Sequence, residues 1–484
     1  MTFLRFSLCA LLAITQLSAG DLQSDVQKIV NAASLHKGHA GICIIDTKTG
    51  KPIVQINASE LMIPASNQKL LITGAALHVL GPDFAFKTHL MLDGENLTLI
   101  GDGDPTIGDS ELLKISDWSN ENDFLDSELM PWVQAVKKAG VNEIKTLYVD
   151  DRIFDRNFIH PSWPANQINN WYCAQVSGLN YHLNVVHFLP KPRSGTTASL
   201  GAITPRMNWI SFGNKTSSNE GKKQKSSFWV ARAPNTNKMT ARGNVNSKHT
   251  VPVKIAFHDA AIVFGKTLAN LIRKNGIQVG SVERISDDAP PLKGTILFTR
   301  STPIQSALTR SNTDSYNLYA ESLLKRISAE ATGRSGTFDE GAEVVKKVLS
   351  QRLNESGRST IVADGSGMSR NNRISPAILA RWLASFDTNE PVGKALIDSL
   401  ATPGNGTLKN RFTNTSLGKA TVHAKSGYIL GVCALSGYIT FQNREPIVFS
   451  ILVNDVKGTV RGAKTMQEKI IAAVIQATSS TVGK

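Results

Sequence analysis

Hydrophobic and polar residues alternate with clear periods at the start of this chain. Apolar residues at helical spacing predict a helix over residues 21–33. A β-hairpin is predicted over residues 41–56, because two apolar runs flank the turn-forming residues Asp46–Gly50. A second, strongly apolar helix is predicted over residues 66–80, where Gly81-Pro82 stops it.

The middle of the chain has a different pattern, with short strand-like runs separated by turn clusters. Two helices stand out there, at residues 127–139 and 258–274. From residue 303 onward helical spacing returns, and the chain ends on two apolar strands and a helix. The pattern predicts an α/β (α+β) fold in which both chain ends build one domain, residues 21–86 and 296–484. Residues 87–295 would form a β-rich insertion of two subdomains.

The first 20 residues have the layout of a secretory signal peptide. Arg5 lies in a short first segment, an apolar run extends to about residue 17, and the small residues Ala19 and Gly20 offer cleavage sites. A buried first helix is the alternative, but the polar run from Asp21 begins abruptly. No later segment reaches the length of a membrane span. We therefore expect an exported protein, periplasmic or otherwise extracytoplasmic, soluble or loosely membrane-associated, with no transmembrane segment after signal cleavage.

Composition narrows the function classes. The 484 residues include 53 Lys and Arg against 39 Asp and Glu, a formal charge of +14, but the cations are scattered. Anionic envelope polymers therefore suit this surface better than nucleic acid, and no nucleic-acid partner is predicted. Four cysteines in so long a chain exclude a small disulfide scaffold. CxxC and HExxH are both absent, so neither a metal nor a cofactor is predicted.

Ser-x-x-Lys is the first pattern that could carry chemistry. Residues three apart share a helix face, so the lysine amine can reach and activate the serine hydroxyl. The chain holds four copies, starting at Ser34, Ser66, Ser322 and Ser416, so at least three are coincidental. Ser66 with Lys69 is the best candidate, because Ser66 begins an apolar helix, where free N–H groups suit an oxyanion. A simple N-cap is the alternative for Ser66.

Ser315-Tyr316-Asn317 precedes another apolar helix. The serine hydroxyl could relay a proton, and the asparagine amide could orient a lysine or a substrate amide. Helix capping is the alternative for this segment, because Ser-x-Asn is common in proteins.

Lys425-Ser426-Gly427 opens a late apolar strand. A cation and a hydroxyl at a strand edge could hold a substrate carboxylate, and glycine lets a substrate backbone approach closely. The backbone N–H of Tyr428 could be a second oxyanion donor.

The order of these three motifs is typical of penicillin-binding proteins and class A β-lactamases. Across about residues 30–455 the chain resembles, more closely, the D-alanyl-D-alanine carboxypeptidase/endopeptidase family of low-molecular-mass, class C penicillin-binding proteins. The matching segments are Pro64–Leu71, the GDPT segment Gly101–Thr106, the SxN segment Ser315–Glu321, the DGSG segment Asp364–Arg370, Gly406–Leu408 and the KSG strand.

The resemblance implies a penicillin-binding transpeptidase/β-lactamase-like domain with a large insertion between the SxxK and SxN motifs. By that resemblance Ser66 would be the acylated nucleophile and Lys69 its general base. Ser315 and Asn317 would serve proton relay and substrate orientation, and Lys425 would bind the terminal carboxylate with Ser426. Serine in place of the usual threonine at Ser426 keeps the hydroxyl, so activity is expected.

The implied function is that of a serine DD-peptidase. It would cleave D-Ala-D-Ala termini of peptidoglycan stem peptides, and cross-links by the same chemistry, and β-lactam antibiotics would acylate it. A β-lactamase or esterase is one alternative, although residues 318–424 contain no ExxxN sequence to activate water. A non-catalytic peptidoglycan-binding protein of the same fold is another, against which the intact motif set argues.

Arg370 carries a separate hypothesis from the same resemblance. It could bind the side-chain carboxylate of a diaminopimelate-type residue in the stem peptide through a bidentate contact. A surface arginine that ties down a loop is the alternative. Asp150 and Phe154 are predicted to line the same subsite.

Overall fold

The computed structural model describes residues 19–218, 225–354 and 357–479. The predicted signal peptide, residues 1–20, lies outside them except for Ala19 and Gly20, which begin the first helix. The helices are Ala19–Asn31 (α1), Gln68–Leu80 (α2), Glu121–Lys138 (α3), Ala260–Lys274 (α4), Ile304–Asn312 (α5), Asn317–Thr332 (α6), Phe338–Arg352 (α7), Pro376–Ala384 (α8), Pro391–Asp398 (α9) and Arg461–Ser479 (α10). The strands are His39–Asp46 (β1), Lys51–Ile56 (β2), Ala85–Asp93 (β3), Asn96–Ile100 (β4), Glu143–Asp150 (β5), Val185–Phe188 (β6), Ile203–Thr204 (β7), Phe212–Ser218 (β8), Trp229–Arg232 (β9), Met239–Val245 (β10), Val253–Ala256 (β11), Gln278–Arg284 (β12), Thr295–Pro303 (β13), Thr421–Ile429 (β14), Val432–Thr440 (β15) and Ile447–Asn454 (β16).

A five-stranded antiparallel sheet joins the two ends of the chain, in the order β14-β15-β16-β1-β2. Helices cover both of its faces, so the interior of β1, residues 40–45, is apolar and buried rather than alternating. Ile42 and Ile44 pack with α1 and α10, whereas Cys43 and Ile45 pack with α2 and α8 on the opposite face. The SxxK segment therefore leads into a helix, α2, that belongs to the hydrophobic core on one face of this sheet.

The sheets of the inserted region are separate from the first sheet. A mixed five-stranded sheet runs β12-β5-β4-β3-β13, and two three-stranded sheets run β11-β6-β7 and β8-β10-β9. Because β13 pairs with β3, the mixed sheet extends to residue 303, eight residues beyond the boundary predicted from the sequence. The division of the chain into domains stays a prediction.

The predicted fold class, with its mixture of helices and sheets, is confirmed. The start of α3 differs from its predicted position, since this helix begins at Glu121 rather than at residue 127. The first turn of α3 is mostly polar, so the spacing of apolar residues does not reveal it in the sequence. In the structure Glu121 and Leu125 are nevertheless buried. Among the described residues, no helix combines the length and the apolar composition that a membrane span requires.

The hydrophobic core around α2 should contribute strongly to the free energy of unfolding. Leu71 in α2 is fully buried, whereas Leu430 in the β14–β15 turn is 77% exposed. We expect Leu71→Ala to lower the free energy of unfolding by about 2–5 kcal/mol, because the lost side chain leaves a cavity. The matched control, Leu430→Ala, should change it by less than about 0.5 kcal/mol. Urea unfolding measures both, and equal midpoints for the two variants would contradict this assignment of the core.

Candidate active site

Ser66 lies in a single 3₁₀ turn, Ala65–Asn67, that leads directly into α2. The N-cap residue of α2 is Asn67, and its side chain makes no capping hydrogen bond, so the structure does not use Ser66 as a cap. Ala65 has a positive φ of 47°, a conformation that costs energy for a residue with a Cβ. The turn therefore holds the Ser66 hydroxyl in a half-buried position at the positive end of a buried helix.

Lys69 is fully buried one turn after Ser66, and its amine has three polar partners. Its Nζ lies 3.2 Å from Ser66 Oγ, 2.8 Å from Asn317 Oδ1 and 2.6 Å from the Ser366 carbonyl oxygen. Burial lowers the pKa of Lys69 to about 7, although the Glu321 and Asp364 carboxylates oppose this shift. The amine can therefore lose its proton near neutral pH.

The three partners suit a neutral amine as well as a charged one. A neutral lysine has two N–H bonds and one lone pair, whereas the ammonium has three N–H bonds. The Asn317 and Ser366 oxygens can only accept, so they take the two N–H groups of the neutral amine. The lone pair then faces the Ser66 hydroxyl, which is the geometry that a general base requires.

The KSG strand β14 lies directly against the 3₁₀ turn Ala65–Asn67. Asn67 Nδ2 donates to the Lys425 carbonyl oxygen at 2.6 Å, and Ser436 Oγ donates to Asn67 Oδ1 at 2.8 Å. A Cβ at Gly427 would lie 2.9 Å from the Pro64 carbonyl oxygen, so only glycine allows this close approach. A buried amide thus fixes the serine relative to the strand.

Lys425 is the second buried lysine of the site. Its Nζ donates to Ser315 Oγ at 2.9 Å and to the Ser426 carbonyl oxygen at 2.6 Å. Burial lowers the pKa of Lys425 well below its usual value, and the nearby Lys69 amine lowers it further. Ser315 itself has a positive φ of 66°. The structure thus brings the SxxK, SxN and KSG motifs into one connected hydrogen-bond network.

The outer edge of β14 offers backbone groups to the cleft. This strand is at the edge of its sheet, and Ala424 N–H points outward to the Ala401 carbonyl oxygen at 2.8 Å. Because backbone groups alternate along a strand, the N–H groups of Ser426 and Tyr428 point to the same edge. The Tyr428 side chain is 59% exposed, and the Ser426 side chain is half-buried.

The DGSG segment forms a loop that packs directly on the 3₁₀ turn Ala65–Asn67. Glu321 in α6 accepts hydrogen bonds from the backbone N–H groups of Gly365 and Ser366, at 2.9 and 2.8 Å. Burial, and then the Asp364 carboxylate, raises the pKa of Glu321 to about 8. Gly367 has a φ of +80°, and a Cβ there would lie 1.8 Å from the Ala65 carbonyl oxygen. The loop conformation that presents the Ser366 carbonyl to Lys69 therefore requires glycine.

The inserted region clamps the SxN loop from the opposite side. Arg310 binds Asp109 with two hydrogen bonds, at 2.8 and 3.1 Å, and its guanidinium lies 4.3 Å from the Tyr316 ring centroid. The Tyr316 hydroxyl is 3.3 Å from Glu111, so the middle residue of the SxN motif faces the insertion. Asn317 Nδ2 donates to the Tyr172 carbonyl oxygen at 2.8 Å. The asparagine side chain is thereby fixed at both ends.

Arg370 lies on the exposed side of the DGSG loop, where its Nη1 donates to the Leu430 carbonyl oxygen at 2.8 Å. This contact ties the loop to the β14–β15 turn beside the KSG strand. Among the described residues no other protein group contacts the remaining guanidinium nitrogens, so a ligand carboxylate could reach them.

The structure does not bring Asp150 and Phe154 to the three motifs. Asp150 is paired with Arg152 at 2.8 Å, and Phe154 is 1% exposed against Gly103. Both line a cavity of about 790 Å³ together with Arg326 of α6. Arg326 follows Asn317 by nine residues, which is about 14 Å along the helix axis. Their predicted role in the Arg370 subsite therefore lacks geometric support.

Sequence reasoning missed four groups that hold the site together, the Asn67 amide, the Tyr172 and Ser366 carbonyls, and the Glu321 carboxylate. Asn67 and Glu321 lie within the segments that carried the resemblance, and their complete burial distinguishes them only in three dimensions. The two carbonyl contacts come from backbone atoms, which have no sequence signal. The competing SxxK pair Ser322 and Lys325 is buried elsewhere, with Lys325 paired to Asp155 at 2.5 Å.

Comparison with known proteins agrees with this geometry. The profile of the D-Ala-D-Ala carboxypeptidase 3 (S13) family matches residues 22–476. The chain belongs to this family. The resemblance stated from the motifs is thus confirmed, and carboxypeptidase activity, and hence hydrolase chemistry, is the activity of the S13 family.

Individual S13-type relatives match along most of their length. The D-alanyl-D-alanine carboxypeptidase of Actinomadura sp. (strain R39) is 27% identical over 476 residues, covering 90% of this chain and 82% of the relative. The D-alanyl-D-alanine carboxypeptidase DacB of Haemophilus influenzae is 23% identical over 426 residues, covering 87% and 86%. The crystal structure of penicillin-binding protein 4 (dacB) from Haemophilus influenzae superposes with a TM-score of 0.76 at 21% identity, covering 93% of this chain and 99% of that one. The fold is therefore that of a penicillin-binding peptidase.

Proposed function

We propose that this S13 family member is a serine DD-peptidase that works through a Ser66 acyl-enzyme. The observation that carries the proposal is the position of the Lys69 amine between Ser66 Oγ and two fixed acceptors. A buried amine with its lone pair aimed at a half-buried serine has no structural purpose that a hydrophobic side chain would not serve better. The substrates would be peptidoglycan stem peptides that end in D-Ala-D-Ala.

In the first step, neutral Lys69 takes the proton of Ser66 as Oγ attacks the penultimate D-Ala carbonyl carbon. The resulting oxyanion would be bound by the backbone N–H groups of Ser66 and Tyr428. Each donor of such a hole contributes on the order of 10²–10³ in rate. Collapse of the intermediate breaks the peptide bond and leaves the acyl group on Ser66.

The leaving amine needs a proton, and Ser315 is placed to deliver it. Lys425 Nζ donates to the Ser315 hydroxyl at 2.9 Å, so Lys425 can replace a proton that Ser315 gives to the leaving amine. Lys425 and the Ser426 hydroxyl would also bind the terminal carboxylate of the substrate. Lys69 would then return its proton to the neutral Lys425 amine or to solvent, and only after that could neutral Lys69 act again as base for the water that hydrolyses the acyl-enzyme. Endopeptidase cleavage of a cross-link differs only in the leaving amine.

Two observations support the choice of substrate class. The crystal structure of the Haemophilus influenzae protein has also been determined in complex with a β-lactam, with a TM-score of 0.70 to this chain. β-Lactams contain the strained amide that such a serine would open, and we infer that they acylate Ser66. Peptidoglycan lies outside the cytoplasm, so the proposal agrees with export through the predicted signal peptide.

Benzylpenicillin tests the nucleophile. After a short incubation, intact-mass spectrometry of the wild-type chain should show one stable adduct, whereas Ser66→Ala should show none. Ser322→Ala is a matched control, because Ser322 belongs to a buried SxxK pair, and it should keep the adduct. An adduct on Ser66→Ala would place the reactive serine elsewhere. Rapid release of hydrolysed penicillin without an adduct would instead support a β-lactamase.

The pH dependence of acylation tests Lys69. Because only the neutral amine is a base and the pKa of Lys69 is lowered to about 7, the acylation rate should rise with pH through about 7 and level off above it. Lys69→Arg keeps a cation that does not deprotonate, so the rate should fall by about 10²–10⁴. Stopped-flow acylation at several pH values measures both effects. A wild-type rate that is independent of pH between about 6 and 8 would contradict the role of Lys69.

Arg370 provides a test of the third residue of the stem peptide. If its guanidinium binds the free carboxylate of a diaminopimelate side chain, Arg370→Ala should lower kcat/KM for diaminopimelate peptides by about tenfold or more. Lysine peptides lack that carboxylate and should be cleaved as before. Leu430→Ala keeps the carbonyl that Arg370 contacts and is the control for a loop effect. An unchanged ratio of the two rates in Arg370→Ala would leave Arg370 as a loop tether only.

A further inference from the structure

A second cluster of chemically active side chains lies in the inserted region. Glu121 is the first residue of α3, His182 lies in the turn before β6, and His187 lies in β6. Each offers one ligand atom, and the three atoms lie within 4.8 Å of one another. In the part of the chain that the structure describes, this is the one group of three His, Cys, Asp or Glu residues with that geometry.

The distances in the cluster are close to those of a zinc site. His182 Nε2 lies 3.1 Å from Glu121 Oε1, and His187 Nδ1 lies 2.9 Å from both Glu121 carboxylate oxygens. Zinc binds imidazole nitrogen and carboxylate oxygen at about 2.0–2.2 Å, so tetrahedral ligand atoms are about 3.3 Å apart. The two Glu121–histidine separations would therefore need to grow by only a few tenths of an ångström to admit the ion, and the two histidine nitrogens lie within 4.8 Å of each other.

The orientation of His182 gives an independent reason to place a cation there. His182 Nδ1 lies 2.7 Å from the Val185 carbonyl oxygen, which can only accept, so Nδ1 carries the proton. In a neutral ring Nε2 then has a lone pair that faces a Glu121 oxygen. Two lone pairs at this separation repel unless a proton or a metal ion lies between them. Histidines that bind a metal ion through one ring nitrogen usually donate the N–H of the other nitrogen to an acceptor such as a backbone carbonyl.

The surroundings close the cluster off and hold it in place. Glu121, His182 and His187 are all between 0% and 2% exposed, and a Trp118 ring covers His187 at 5.7 Å. His187 Nε2 has no hydrogen-bond partner, so the polar contact that orients this ring is made at Nδ1. The Ser110 hydroxyl contacts Glu121 and lies 3.5 Å from His182 Nε2, so it adds a hydroxyl oxygen next to the three side chains.

The backbone between the two histidines is held in an unfavourable conformation. His182, Leu183 and Asn184 have positive φ values of 51°, 56° and 56°. The Asn184 side chain fixes this turn by donating to the Gln175 carbonyl oxygen at 2.7 Å. Three such residues in a row are costly, and the turn they make allows both rings to reach one carboxylate.

We propose that Glu121, His182 and His187 bind one zinc-class divalent ion, with the Ser110 hydroxyl or a water molecule in the fourth position. Two imidazoles and one carboxylate suit zinc better than magnesium or calcium, which prefer all-oxygen sites. The ion would cross-link α3 to β6 and the turn before it, and its role would be structural. Trp118 and Lys254 connect this site to Tyr316, because Lys254 Nζ lies 5.6 Å from the Trp118 ring and 3.2 Å from the Tyr316 hydroxyl.

The test uses the mature chain without a histidine tag, freed of metal by dialysis against a chelator. Titration with Zn²⁺ should give one tightly bound ion per chain by elemental analysis and should raise the melting temperature. Co²⁺ in place of Zn²⁺ should give the intense visible absorption of a tetrahedral site. A folded chain that binds no equivalent of either ion, with an unchanged melting temperature, would overturn the proposal.

Glu121→Gln is the diagnostic variant, because it keeps the size and an oxygen acceptor but removes the charged ligand. Its affinity for Zn²⁺ should fall by about 100-fold or more, since changes even to groups behind the ligands cost about 10–100-fold. His36→Ala removes an exposed histidine and should keep full affinity. Unchanged affinity in Glu121→Gln would overturn the assignment of the ligands. If that variant does not fold, the titration of the wild-type chain still decides whether the site binds metal.

Discussion

The burial of the Lys69 amine is the constraint on which the rest of the site depends. An amine removed from water requires acceptors for its N–H groups, and the chain supplies them from distant segments. Asn317 Oδ1 comes from the start of α6, and the Ser366 carbonyl comes from the DGSG loop. Neither segment could move without leaving a buried N–H group unpaired, at a cost of about 1–3 kcal/mol. The amine is therefore positioned by the same contacts that keep it buried.

Each of those segments is itself held by a buried titratable side chain. Glu321 fixes the DGSG loop through two backbone N–H groups, and Arg310 joins the SxN loop to Asp109 of the inserted region. The predicted insertion therefore contacts the candidate active site, although it contributes none of the three motifs. Its contribution is orientation, because the Tyr172 carbonyl and the Asp109 carboxylate set the position of the SxN segment.

Much of this architecture could be predicted from the sequence. Helices such as α2 and α10 and strands such as β1 and β16 have strong apolar patterns, and each contains a buried face. Strand β8 was missed because it is mostly polar and exposed, so neither period nor composition marks it. The motif residues could be identified because residue type and spacing are visible in the sequence. Backbone carbonyl contacts are not, and the position of Phe154 beside Arg326 could not be predicted because chain order does not tell which end of α6 a segment will meet.

Two buried lysines would allow the proposed mechanism both to accept and to return a proton. Burial is the main cause that lowers the pKa of Lys425, and the nearby Lys69 amine lowers it further. Under the proposed mechanism, protonation of Lys69 during acylation would therefore make it easier for Lys425 to lose a proton. Because Lys425 contacts Ser315 directly, that proton would pass through Ser315 to the leaving amine. A site with one buried lysine would lack this coupling between the two proton transfers.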